Sequence, residues 1–353
     1  MSRAHAAFRL ARWLGPWTGE KAVPLRVRRR EMTVPAQADA LPFPAWIYTP
    51  EGPIHGALLL VQGLHYAGPA DPRLDRFCRI LADAGILVFA PFLPDFARMR
   101  VEPTLVRDAE RAFDVLLSLP ERPAHVRPGV FSISFGSLPA IALASKRPEV
   151  GGLMLFGGYA DFRETIRFSL LGSPGRAHDP LNQCVVFMNL LEHLPTKDPA
   201  SLQQAWMHYV KSTWGRPHMK PRAAFEPLAR QIASSLGDEN RELFLVGTGV
   251  LPGGKALLDE TLPHKDVAHL DPLPFARVVA CPTIVSHGRD DDVIPFEHAE
   301  KLQTAIPGAS CFLTGMYAHT GHSGLASLLG QLPRELRAMV GIVQGMASTA
   351  GAR

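Results

Sequence analysis

Residues 56–63, GALLLVQG, form an unbroken apolar run closed by glycine, and a strand apolar on both faces fits in few places. It needs cover above and below, which puts it in the middle of a parallel sheet flanked by helices. Runs of the same kind recur at 86–91 (ILVFAP), 129–133 (GVFSI), 152–156 (GLMLF) and 281–287 (CPTIVSH). Between them lie segments of helical period. Residues 71–84 carry Leu74, Phe77, Cys78 and Leu81 on one face and close at Gly85, and 104–119 carry Leu105, Ala109, Phe113, Leu116 and Leu117. This alternation implies right-handed βαβ units in a doubly wound, mostly parallel sheet of the α/β class. Ahead of it, PLRVRRREMTV and FPAWIYT, separated by the polar, Ala-rich 37–40, read as an antiparallel ribbon leading into the sheet.

From 159 to about 276 the rhythm changes. β-rich runs are few, prolines break the chain, and 202–213 and 225–236 have helical patterns. The alternating pattern resumes with the strand at 281–287, a helix over 296–306, a strand over 310–314 and an amphipathic helix over about 325–344. The expected division is a basic N-terminal arm (1–22), a core (23–162 and 277–353) and a mostly helical cap (163–276) inserted between two strands. Such an insertion lies over the carboxyl ends of the strands, where open α/β sheets bind ligands, and so is a candidate lid. Its Trp206, Met207, Tyr209, Trp214 and Phe225 suit either an apolar part of a substrate or a small core of the cap itself.

With 46% hydrophobic and 20% charged residues, the 353-residue chain is composed like an ordinary globular protein. Its formal net charge of +4 is local: Arg3, Arg9, Arg12, Arg26 and Arg28 to Arg30 fall in the first 30 residues against one acid, Glu20. That describes a basic arm rather than a nucleic-acid-binding body. Cys78, Cys184, Cys281 and Cys311 are far apart and have no metal-ligand spacing. They point to buried thiols in a reducing, cytoplasmic compartment, with no metal or cofactor. No apolar run approaches the ~20 residues that span a bilayer, and the N-terminus lacks the apolar core of a secretory signal. Leu10, Trp13, Leu14 and Trp17 do recur at helical spacing beside arginines. An arm packed on its own domain is expected there; weak membrane-surface contact through residues 1–17 is the alternative.

Within GVFSISFGSLPAIALAS (129–145), an apolar strand turns sharply into a helix with Ser134 at the apex. The turn crowds the backbone, so very small residues are needed two places to either side, and Ser132 and Gly136 stand there. The pattern is S-x-S-x-G, close to the G-x-S-x-G of a nucleophile elbow. A serine so placed is expected to be exposed, at a helix N-terminus, with the Phe135 N–H available to a developing oxyanion. A nucleophilic serine needs a base, an orienter for the base and oxyanion donors. After the strand 283–287 comes HGRDDDVIP, three acids at a strand's carboxyl end. After the strand 310–314 comes GMYAHTGH, in which His319 or His322 can serve as base. After the first central strand, Gly63 lets the backbone turn so that the Leu64 N–H joins that of Phe135. His65 beside it either contacts substrate or is held by hydrogen bonds as a structural residue.

The order Ser…Asp…His, the elbow and the strand–HG–xx–D–xx–[VI]–P segment resemble the α/β-hydrolase superfamily, over 24–162 and 279–344, with the insertion unmatched. The resemblance implies Ser134 as nucleophile and Asp291, four residues after His287 and four before Pro295, as the acid. It implies His319, 28 residues after Asp291, as the base, with His322 as the alternative. Some members take the acid from the end of the preceding strand, where Asp161 lies in GGYADF. The backbone amides of Leu64 and Phe135 would form the oxyanion hole. Two positions depart from the pattern: Ser132 replaces the first elbow glycine, and Gln62 stands where many members carry histidine. The implied activity is hydrolysis of a small-molecule carboxylic ester or thioester with an apolar part, without metal or cofactor. An acyltransferase using the same acyl-enzyme, and a catalytically silent scaffold binding a partner or a membrane, are the alternatives.

Overall fold

Eight strands are present in the computed structural model, which describes residues 3–14, 19, 21–176, 178–315 and 332–351. They are β1 (Val27–Val34), β2 (Phe43–Pro50), β3 (Gly56–Val61), β4 (Ile86–Pro91), β5 (Gly129–Ile133), β6 (Leu153–Phe156), β7 (Thr283–Gly288) and β8 (Ser310–Thr314). They form one sheet in the order β1-β2-β4-β3-β5-β6-β7-β8. β1 and β2 pair antiparallel to each other, as the ribbon pattern implied, and β2 pairs antiparallel to β4; all other pairs are parallel. From β3 the chain moves outward to β4 and then returns across to β5. The strand order therefore reverses between β3 and β5, and the crevice at their carboxyl ends is where such sheets bind ligands.

Every side chain of β3 and β4 is buried. One face carries Leu59, Val61, Leu87, Phe89, Val130 and Leu155, covered by helices Thr104–Ser118 and Ser137–Lys146. The other carries Leu58, Leu60, Val88, Phe131 and Met154, covered by helices Pro72–Asp83 and Leu332–Thr349. The last of these runs across the face from Thr314, at the carboxyl end of β8, to the amino ends of β3 and β5. The Ala57 N–H donates to the Ala350 carbonyl (2.9 Å). A side chain at Gly56 or Gly129, the first residues of β3 and β5, would run into the Ala350 or Thr349 carbonyl. The N-terminal helix Arg3–Leu14 lies on the same face. It buries Ala6 and Leu10 there, and the Trp13 indole donates to Asp83 (3.1 Å), so this part of the arm packs on its own domain. Trp17 and the start expected for the last helix lie outside the described residues.

Between β6 and β7 the regular structure is helical: Phe162–Leu171, Gln183–Met188, Pro199–Thr213, Arg222–Ala233, Asp238–Gly247, Gly254–Thr261 and Leu273–Ala276, with short 3-10 turns. No break in the apolar interior sets this segment apart. Phe187, Trp206 and Phe244 belong to the same cluster of buried side chains as Leu59, Phe89 and Val130. Trp206, Tyr209 and Phe225 are buried in that shared interior, and Met207 and Trp214 pack against it half-buried. Among the described residues no helix is long and apolar enough to cross a membrane, and no group of His, Cys, Asp and Glu side chains could hold a metal ion. Cys78 and Cys184 are buried free thiols, and burial pushes both up from the ordinary thiol value.

His298, on the helix Glu297–Ala305, is 1% exposed and accepts at Nδ1 from the Ala160 N–H (3.1 Å). Burial, with Lys301 nearby, brings its pKa down to about 4. A base whose folded value lies below its unfolded one contributes stability in full above about pH 6.5, and that stability is lost as pH falls towards 4. Denaturant titrations at pH 7.5 and 4.5 should differ by about 2–3 kcal/mol from this residue. In His298→Gln, whose amide oxygen can still accept from Ala160, that part of the difference is expected to vanish.

Candidate active site

The register of the two central strands brings the first two sequence motifs together. Val61 pairs with Ser132, so Gln62 and Gly63 run on beside Ile133 and Ser134. Ser134 follows β5 directly and opens a 3-10 turn, Ser134–Gly136, that runs into the helix Ser137–Lys146. Its φ is +53°, one of three non-glycine residues among those described with positive φ. An L-residue in that region is strained, and such strain collects where a turn is too tight to relax. The cause of the tightness is visible at Gly136, where a Cβ would stand 2.5 Å from the Gln62 carbonyl oxygen and 2.7 Å from that of Val61. The elbow is thus pressed onto the end of β3, with room for no side chain there. Gly136→Ala is expected to destabilise the fold by about 1–3 kcal/mol through overpacking and to displace Ser134, read as a drop in melting temperature together with lost activity.

The expectation of an exposed apex is corrected: Ser134 is 4% exposed. Its Cβ lies against the backbone of Gly63, where a Cβ would be only 3.1 Å away. Leu64 follows at once, 8% exposed, and its N–H donates to no group among the described residues. Phe135 is 6% exposed, with its ring 5.2 Å from that of Tyr159. Ser132, in place of the first elbow glycine, is fully buried, with no hydrogen-bond partner for Oγ among the described residues. The Gln62 carboxamide is likewise buried and unpartnered there, tucked under Gly68, whose φ is +54°. His65 has both ring nitrogens engaged. Nδ1 accepts from the Ala67 N–H (3.1 Å), and Nε2 lies 3.4 Å from Asp71 Oδ2. The ring stacks on Tyr66 and leans on Trp214, and burial lowers its pKa.

The segment after β7 folds back on itself around one carboxylate. Asp291 is 3% exposed, and its Oδ1 accepts from the N–H groups of Val293 and Ile294, both at 2.8 Å. Its Oδ2 lies 3.2 Å from Nε2 of His287, the residue four places earlier and itself fully buried. That nitrogen is also 2.9 Å from the Ile294 carbonyl, which can only accept, so the proton sits on Nε2. Two amides and an imidazole N–H therefore converge on a buried carboxylate, an arrangement that fixes its orientation. Asp292 differs from it, being turned to Lys220, with Nζ and Oδ2 2.7 Å apart.

Asp161, the other acid considered, is the N-cap of the helix Phe162–Leu171, its Oδ1 accepting from the Glu164 N–H (2.8 Å). Asp71 is the N-cap of Pro72–Asp83, its side chain accepting from the Arg73 N–H. His319 and His322 both lie outside the described residues. β8 ends at Thr314, parallel to and beside β7, so its carboxyl end lies at the same edge of the sheet as the loop carrying Asp291. Sequence reasoning missed the support of Asp291 by His287, although the HG pair was in view, and missed Lys220, which no motif announces.

No protein-family model and no curated protein matches the chain. Solved structures do. An acylaminoacyl peptidase of Pyrococcus horikoshii aligns with 93% of this chain and 43% of its own, at 12% identity and a TM-score of 0.50. A puromycin-hydrolyzing peptidase of Mycobacterium tuberculosis aligns with 94% of this chain and 41% of its own, at 15% identity and a TM-score of 0.50. An esterase of Pyrococcus furiosus aligns over 94% of both chains, at 14% identity and a TM-score of 0.50. The chain spans less than half the length of either peptidase and nearly the whole length of the esterase. At these identities the likeness is one of fold.

Proposed function

The chain has the α/β-hydrolase fold, and on that premise we propose that it is a serine hydrolase cleaving a carboxylic ester or thioester through an acyl-enzyme on Ser134. The observation that carries this is Ser134 itself: a non-glycine residue at φ +53°, at a strand-to-helix junction on the switch point of the sheet, packed against the Gly63–Leu64 turn. Strain of that kind is retained where it aims a side chain. His319, with His322 as the alternative base, takes the Ser134 proton as Oγ attacks the carbonyl carbon. The amides of Leu64 and Phe135 receive the oxyanion. The proton passes to the leaving alcohol or thiol, and water, activated by the same imidazole, releases the acid. Asp291 holds the imidazole in one tautomer and stabilises it when charged. Residues 163–276 act as the cap over this site; in support, the segment joins β6 to β7 and touches the Asp291 loop through Ser169, Asp179 and Lys220.

The test is labelling with a fluorophosphonate probe and mapping of the modified peptide, followed by p-nitrophenyl esters, thioesters and N-acyl-peptide anilides of graded length. Label on Ser134 with turnover of esters or thioesters is the expected result. A folded protein that takes no label overturns the proposal. Turnover of the anilides alone would replace an esterase by a peptidase.

A further inference from the structure

We propose that Lys220, on the inserted segment, is a positioning residue for Asp291 that acts through Asp292. This rests on Asp291 being the acid of the proposed site. Lys220 Nζ lies 2.8 Å from Asp179 Oδ2 and 2.7 Å from Asp292 Oδ2, bridging a carboxylate of the insertion to one of the acid loop. A second bond runs parallel to this bridge, from the Asp179 N–H to the Asp292 carbonyl (2.9 Å). A third follows one residue on, from Ser169 Oγ to the Val293 carbonyl (3.1 Å). The insertion therefore grips residues 292 and 293, and the amides of 293 and 294 are the ones that hold Asp291 Oδ1.

The ammonium is the element of this grip that cannot be spared. The side chain of Asp179 is 5% exposed and that of Asp292 24%. The other oxygen of Asp292 is buried with no hydrogen-bond partner among the described residues. Asp179 has the Leu181 N–H as well (3.0 Å), but Asp292 depends on Lys220. Burial works against the charge on Lys220, yet its bonds to the two carboxylates raise its pKa overall. His178, just ahead of Asp179, feels both carboxylates but is pushed down by its own burial; Tyr209 faces Asp179 from the helix Pro199–Thr213. Arg289, Asp290 and Asp291 are the other charged residues of this stretch of the loop. Without Lys220, two poorly solvated carboxylates face each other, and the loop carrying Asp291 must yield.

Lys220→Met is expected to lower kcat about tenfold or more with KM changed less than about twofold, because orientation rather than binding is lost. The loss follows from two carboxylates left facing each other without their shared cation. In Asp179→Asn/Lys220→Met the repulsion between the two carboxylates is gone, and kcat should be partly restored. This double variant also serves if the single one does not fold. Hydrogen exchange at the amides of Val293 and Ile294 should accelerate in Lys220→Met. Unchanged kcat, a double variant no more active than the single one, or unchanged exchange at those two amides would each overturn the clamp. A wild type that takes no fluorophosphonate label and turns over no ester would instead remove the hydrolase assignment, while the exchange comparison still decides whether Lys220 holds the loop.

Discussion

Ser134→Gly is expected to abolish turnover and, at the same time, to stabilise the protein. Loss of the nucleophile should lower kcat by about 10⁴-fold or more, leaving what oxyanion donors and binding supply by themselves. The stability effect has a separate origin. Ser134 sits at φ +53°, where an L-residue is disfavoured by about 1–2 kcal/mol and glycine is not. Glycine brings back some freedom to the unfolded chain, so a net gain of about 1 kcal/mol is expected. Ser134→Ala provides the control: it removes the same hydroxyl, keeps the Cβ in the strained region, and should show the loss of turnover without the gain. Ester hydrolysis and urea midpoints of the three proteins decide both points. Turnover retained in Ser134→Ala would move the nucleophile elsewhere, and a Gly variant less stable than the Ala one would refute the strain account.

Asp291→Asn should lower kcat by about 10⁴-fold, as loss of the group that fixes the base does where a triad operates. It should also destabilise the fold by about 1–3 kcal/mol, for a reason local to this loop. An asparagine oxygen can keep the two amide bonds from Val293 and Ile294. Its NH₂ then meets the Nε2–H of His287, which is committed to the Ile294 carbonyl. Two donors facing each other in a buried site leave one unsatisfied. Asp161→Asn, by contrast, is expected to be close to neutral in both respects, because asparagine caps the helix Phe162–Leu171 as well as aspartate does. If the activity losses of these two variants were exchanged, the acid would be Asp161. Steady-state kinetics with thermal melts in parallel gives the comparison.

The parts of this molecule that its sequence made legible are those governed by local rules. GALLLV and ILVFAP could only be strands covered on both faces, and they are β3 and β4, fully buried. The helices expected over 104–119 and 202–213 appear as Thr104–Ser118 and Pro199–Thr213, because Leu105, Phe113, Leu202, Trp206 and Tyr209 fall on one side at a period of 3.6. The small residues around Ser134 marked a tight turn, and the turn is there. What stayed hidden depends on partners far away in the chain. Nothing near Lys220 shows that it meets Asp292, 72 residues on. Nothing in residues 159–276 foretells that their apolar side chains join the main interior instead of forming one of their own. Ser134 was expected at the surface because an apex protrudes locally; the turn at the end of β3 lies against it.

The helix Leu332–Thr349 has a consequence for the order in which this protein is assembled on the ribosome. It covers one face of the sheet, and the Ala350 carbonyl accepts from Ala57 at the start of β3. Leu58, Leu60, Phe131 and Met154 are therefore left without that cover until residues 332–350 have been synthesised. Until then the helix Pro72–Asp83 gives that face part of its cover. The central strands are made early, but this face of the sheet is completed only after the inserted segment, β7 and β8 have followed them.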